Sequence, residues 1–444
     1  MERVLINNTM EVKMQHIFKR SLLALTCSSF LFLAACNDSN DDYVGITPSQ
    51  TFISEAAYSK ETLDEASSIK VMTYNMVNVQ GKTAKATAMV LFPKVTQPKD
   101  GYRVVVWEHG TLGVGDSCAP TNNNLGTRFK DPLAKSLLAA GYVIIAPDYE
   151  GMGTAGIHPY LHLESEAKSA ISAVQAAQDH YGNALNKSWM SVGQSQGGQG
   201  SLGTAQYANN DKNYLGAVAG APASSLDKII FQVAPVALLD AENKELEAGV
   251  SLAYRAEKGS VGAYATLLSY AAFAAVGIKA SDPRFDYREI FADTRSQDIA
   301  ALAEGTTGEN GLCLDSADPV NKPEDSIRYR FVQDIVKYLT ENPTKKLLDY
   351  PGLNKEKFYA SPQITKFLKE SQPGTVKIDK PILIIQGTLD MSVPYPVTEA
   401  MYKAMLAQGT NVEFLPAVGA SHTAAIVEKN PELVAFIKQN MPAQ

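Results

Sequence analysis

Six short apolar runs, separated mostly by stretches of helical character, limit the folds open to this chain. They are RVVVWE (103–108), YVIIA (142–146), WMSV (189–192), YLGAVA (214–219), PILIIQ (381–386) and VEFL (412–415). A strand that is apolar on both sides must be covered on both sides, and helical connections make neighbouring strands parallel. Helices are expected at 130–140, 163–181, after Ser195, at 396–408 and at 423–439. Upstream, VMTYNMV and ATAMVLF are split by the turn-prone QGKT and read as a hairpin. The rhythm breaks near residue 223 and resumes near 376, with mainly helical composition between. The expected fold class is therefore α/β: a mostly parallel, doubly wound sheet (65–222 and 376–444) interrupted by an inserted, mainly helical cap (223–375). Within the cap, 261–278 (VGAYATLLSYAAFAAVGI) carries no charge over transmembrane-like length. Its Ser, Thr, Tyr and Gly residues favour a buried cap helix that could line an apolar pocket.

Net charge is −7 and no basic run stands out, which argues against nucleic acid as a partner. At the N-terminus, Lys19-Arg20 precede the apolar SLLALTCSSFLFLAA, which has the length of a signal segment. It ends in Leu33-Ala34-Ala35-Cys36, resembling the lipobox of bacterial lipoproteins. Residues 1–35 are thus expected to be a signal, Met14 being a better start than Met1. Cys36 would be the lipidated membrane anchor, and 36–64 a flexible tether that is polar and acidic over 37–50. The expected location is the bacterial cell envelope, at the outer membrane, or secretion if the lipobox is not used. Cys118 and Cys313 remain, free to pair in an exported protein or to stay as two thiols. No cysteine–histidine spacing suggests zinc, and no cofactor is expected.

The chemistry centres on Gly193-Gln194-Ser195-Gln196-Gly197. It follows the third of the six runs and opens a helix, so small flanking residues would allow a tight turn that lifts the Ser195 hydroxyl into the open. A hydroxyl needs a base, and in sheets with such a turn the acid and the base follow the serine in chain order. Of six histidines only His422 lies after Ser195, in the loop following the last expected strand. Asp390, in the turn after PILIIQ, is the candidate that would orient the imidazole. The oxyanion donors would be the backbone N–H of Gln196 and one from the loop after 103–108, Thr111 before Gly110. His109 stands in the wrong chain order for the base and is read as supporting structure. His158, His162, Glu164 and Glu166 could superficially bind a metal, but Pro159 argues against both histidines standing on one helical turn, and a helix approach is the better reading. Tyr149 could line a pocket or simply pack its loop.

Together these motifs resemble the α/β-hydrolase superfamily over roughly residues 65–440. More narrowly, EHGT (108–111) with CAP (118–120), APDYEGMG (146–153), GQSQGG (193–198) and GTLDMSVP (387–394) resemble the fungal-type secretory lipases and their bacterial esterase relatives. That resemblance implies a helical cap over an acyl pocket, a serine carboxylic ester hydrolase acting on a small-molecule or lipid ester, and a disulfide cysteine soon after the oxyanion strand, which suits Cys118. Gln196 departs from the small residue common there. Two alternatives are a serine peptidase of prolyl-oligopeptidase type and a non-catalytic, hydrolase-like binding lipoprotein.

Overall fold

The computed structural model describes residues 51–443. The signal, Cys36 and the tether residues 37–50 lie outside the described residues. A nine-stranded sheet organises the fold: β1 (Phe52–Ala57), β2 (Ala66–Val77), β3 (Thr83–Pro93), β4 (Tyr102–Glu108), β5 (Val143–Pro147), β6 (Leu185–Gln194), β7 (Tyr214–Gly220), β8 (Ile382–Gly387) and β9 (Val412–Ala417), in spatial order β1-β2-β3-β5-β4-β6-β7-β8-β9. The first three pair antiparallel, and β3 joins β5 antiparallel. From β5 to β9 every pairing is parallel.

Alternation within the central strands distributes side chains to two cores. Val104 and Val106 of β4, with Val143 and Ile145 of β5, face one core with α1 (Leu163–Tyr181) and α2 (Gln196–Tyr207). Val105, Trp107, Ile144 and Ala146 face the other, with Leu137, Leu138, Leu433 and Ile437. Burial of both faces explains why these strands read as continuous apolar runs.

Three expectations need correction. Part of the expected 36–64 tether is β1, which pairs with β2 through Phe52↔Tyr74 and Ala57↔Lys70. Phe52 stacks on His180 with 3.7 Å between ring centres, and Tyr58 and Leu63 are buried, so these residues belong to the folded body. The expected 130–140 helix is broken at Asp131, whose φ −136° and ψ 115° lie outside the helical region. Pro132 causes this, since proline disfavours helical geometry in the preceding residue. The last helix is two, Ala424–Glu428 and Asn430–Asn440, the second starting next to Pro431.

Between β7 and β8 the chain forms helices and short turns, with only two isolated β-bridges. The longest helix, α3 (Ser260–Ser281), is the one among the described residues long and apolar enough to cross a membrane, yet it is mostly buried within the protein. Amphipathic α4 (Ile327–Glu341) packs beside it, turning Ile327, Phe331 and Ile335 into the same core. That core also takes Tyr160 and Leu161 from the loop before α1, so the helical segment is seated on the sheet's C-terminal edge. Cys313, within this segment, is bonded to Cys118 in the loop after β4, with 5.5 Å between their Cα atoms.

Candidate active site

Ser195 occupies the turn between β6 and α2, at φ 62° and ψ −116°. Such a conformation costs a non-glycine residue free energy and persists only where its surroundings impose it. Here the Ser195 N–H donates to the Gly220 carbonyl (2.8 Å), and its own carbonyl accepts from Gln199 (3.0 Å) and Ala223 (3.1 Å). The flanking glycines are required by space. A Cβ on Gly197 would lie 1.8 Å from the Glu108 carbonyl oxygen, and one on Gly193 would lie 1.9 Å from that of Gly197.

The structure brings Ser195, His422 and Asp390 together. His422 Nε2 is 2.8 Å from Ser195 Oγ, and its Nδ1 is 2.7 Å from Asp390 Oδ2. Asp390 is buried and held by four donors. Its Oδ1 accepts the backbone N–H groups of Ser392 and Val393, both at 2.8 Å. Its Oδ2 accepts Gln386 Nε2 at 2.9 Å as well as the imidazole. Gln386 is fixed in turn by Thr398, whose hydroxyl donates to Gln386 Oε1. A carboxylate so held leaves the imidazole Nδ1–H as donor and Nε2 free to accept a proton from the hydroxyl.

Gln196 and the loop His109–Thr111 flank Ser195. A Cβ placed on Gly110 would be 3.6 Å from Ser195 Cβ, so that loop touches the serine. Among the described residues, neither the Gln196 nor the Thr111 N–H donates to a backbone carbonyl in a turn or loop. The Thr111 hydroxyl is 2.6 Å from the Tyr160 hydroxyl. Tyr149 lines neither cavity described below. It packs between the His109 and His158 rings and donates to the His109 carbonyl (3.0 Å), which supports the loop. Burial holds the His109 imidazole down at about 4, so it is neutral at neutral pH.

The Gln196 side chain turns inward, where Nε2 donates to Glu166 Oε1 (2.9 Å) and to His158 Nε2 (3.0 Å). His158 Nδ1 donates to the Glu150 carbonyl at 2.8 Å, which leaves Nε2 as the acceptor. Burial pushes His158 down to about 3 and Glu166 up to about 8. His158 and Glu166 thus brace the turn after the serine. His162 instead precedes the first residue of α1. Among the described residues no group of three or more His, Cys, Asp or Glu could hold a metal.

Two residues bearing on the site were not singled out from sequence. Gln386 ends an otherwise apolar run, a polar break that could have marked it. Gln194 donates from Nε2 to the His422 carbonyl at 3.0 Å, across 228 residues, which no local pattern reveals.

A narrow cavity of about 90 Å³ leads from Ser195 under the helical segment. Leu267, Ala274 and Ile278 of α3, with Ile229, Phe358 and Phe367, supply much of its wall, and no charged side chain lines it.

Residues 327–443, which include Asp390 and His422, match the prolyl oligopeptidase family. No curated protein gives a significant match. Among solved structures, the chain is similar to a putative hydrolase from Legionella pneumophila, with 16% identity, TM-score 0.62, and coverage of 89% of this chain and 99% of that one. It is also similar to the rice cell wall degrading esterase LipA from Xanthomonas oryzae, with 17% identity, TM-score 0.60, and coverage of 88% and 98%. A third likeness is to Candida antarctica lipase A in its closed state, with 17% identity, TM-score 0.60, and coverage of 90% and 85%. Taken with the strand order and the strand-to-helix turn at Ser195, these likenesses establish that the chain has the α/β-hydrolase fold.

Proposed function

We propose that this protein is a serine hydrolase that cleaves carboxylic esters with an apolar acyl group through an acyl-enzyme. The carrying observation is the unbroken hydrogen-bonded row Ser195–His422–Asp390 at the mouth of a cavity with no charged lining. Ser195 Oγ attacks the ester carbonyl as His422 Nε2 takes its proton, and Asp390 stabilises the resulting imidazolium. The Gln196 and Thr111 N–H groups hold the oxyanion, with Gly110 allowing the close approach. His422 then protonates the departing alcohol, and water, deprotonated by the same imidazole, releases the acid. The acyl chain lies in the apolar cavity, where burial stabilises it by about 0.8 kcal/mol per methylene.

The match to the prolyl oligopeptidase family favours a second reading, a serine peptidase. A peptide would place backbone N–H and C=O groups in a cavity whose walls offer few partners, which favours the ester. Turnover of 4-nitrophenyl esters of graded chain length, beside proline-containing peptide 4-nitroanilides, separates the two. The expected result is ester cleavage that rises with chain length, weak anilide cleavage, and loss of both with Ser195→Ala. Ester turnover that survives Ser195→Ala would overturn the assignment; anilide cleavage exceeding ester cleavage would favour the peptidase.

We also propose attachment to the cell envelope through lipidated Cys36, on the LAAC sequence alone. Metabolic labelling with an alkynyl fatty acid should mark the protein processed to begin at Cys36 and be lost in Cys36→Ser.

A further inference from the structure

A second cavity, about 400 Å³, adjoins the His109–Thr111 loop and is walled differently from the first. Gly110 and Thr111 line it, with Trp107, Asn123 and Arg128. It therefore borders the loop that touches Ser195, while the apolar cavity reaches Ser195 under α3.

Arg128 is the unusual group. Its Nη1 donates to the side-chain carbonyl of Gln194, the residue before the serine. Gln194 is itself tied to the His422 carbonyl through Nε2. Among the described residues no carboxylate forms an ion pair with Arg128, and burial lowers its guanidinium from its usual value. The other charged residue lining the cavity, Asp315, is engaged by Arg328 (Nε to Oδ1 2.8 Å). A part-buried guanidinium whose hydrogen-bond partner is a neutral amide keeps donors and charge for an anion.

We propose that this second cavity receives the alcohol half of the ester and that Arg128 is a specificity-determining residue for a carboxylate carried on that half. This rests on the ester-hydrolase reading. With the acyl chain under α3, the alcohol is placed past the loop at Gly110, toward Arg128 and Gln194, the latter bonded to the His422 carbonyl. The Ser195 Oγ–acyl bond forms, the acyl–alcohol C–O bond breaks, and His422 returns the proton to the departing oxygen. The carboxylate takes no part in bond making. It is held by Arg128 and leaves unchanged as part of a hydroxy acid. A planar fork suits a carboxylate through two parallel N–H···O bonds.

The test compares two octanoyl esters, one of 4-hydroxybenzoate and the other of its methyl ester, in wild type, Arg128→Gln and Arg128→Lys. Comparing the ratio of kcat/KM for the two esters between enzymes cancels their different intrinsic reactivity. Arg128→Gln should lower the carboxylate-to-neutral ratio about tenfold or more, and Arg128→Lys should restore part of it. A ratio within about twofold of wild type in Arg128→Gln overturns the proposal. Calorimetric binding of 4-hydroxybenzoate to Ser195→Ala, with and without Arg128→Gln, reads the same site without turnover. Weaker binding in the double variant supports it, and equal binding overturns it. Absence of turnover of either ester by wild type is instead a failure of the ester reading.

Discussion

The sheet and the helical segment between β7 and β8 meet at Ser195, and they are built by different means. The sheet side is specified by backbone geometry. The serine is clamped through its own N–H and C=O, Gly193 and Gly197 two positions to either side have no room for a Cβ, and Asp390 is held by two backbone N–H groups. The helical side offers the site almost only apolar surface, from α3 and the shorter helices around Ile229 and Phe367. Backbone clamps tolerate little substitution, whereas an apolar wall can be reshaped if its volume is respected. On this reading chemistry belongs to the sheet and selection of the acyl group to the helices, and each can be altered without the other.

Asp390→Asn offers the sharpest break in that division. It preserves shape but removes the charge and favours the wrong imidazole tautomer, so kcat should fall by about 10⁴. Chain-length preference, read from the ratio of kcat/KM for octanoyl and acetyl esters, should hold. A changed preference would mean that the two halves are coupled.

Ala274→Phe makes the opposite change. Ala274 lines the apolar cavity from α3 and is only partly buried, so a larger ring should occupy acyl space. Octanoyl turnover should fall by about ten- to a hundredfold, as expected for lost pocket contacts worth one or two methylenes. Acetyl turnover should change much less. Equal losses on both esters would show that the cavity does not take the acyl chain.

The smallest effect expected is on stability with pH, and it belongs to the sheet side. Burial raises Asp148 and Glu150 to about 7 and Glu166 to about 8, so each keeps its proton in the folded protein after the unfolded chain has lost it. Their contribution is complete below ordinary carboxyl values and is lost as pH rises through 7 to 8. His109 and His158, lowered to about 4 and 3, act oppositely, but their contribution is complete once pH passes the ordinary imidazole value near 6.5. Between pH 6.5 and 8 the carboxyls alone act, and Tm should fall by a few degrees. Thermal melts across that window check the sign, and a rising Tm would contradict it.

Much of this site is legible in the sequence because each central part has a local signature. Continuous apolar runs mark the parallel strands, Gly193 and Gly197 mark the turn, and one histidine follows the serine. The unread parts have no such signature. β1 is an edge strand with four of its six residues exposed, so it shows no apolar alternation and is recognised only beside β2. Arg128 meets Gln194 across 66 residues, and its meaning depends on its forming no ion pair with a carboxylate among the described residues. The inward turn of Gln196 depends on His158 and Glu166, placed by a loop and a helix whose approach no spacing specifies.

The bond between Cys118 and Cys313 makes the chain a covalent ring with two tails, closed across 195 positions. Ser195 lies on the ring, with β5, β6, β7 and α3, whereas Asp390 and His422 lie on the C-terminal tail. A cut at any single peptide bond between the cysteines opens the ring and leaves the molecule in one piece. A cut after Cys313 and before Asp390 instead separates the nucleophile covalently from its base and its acid, which then remain together only by packing.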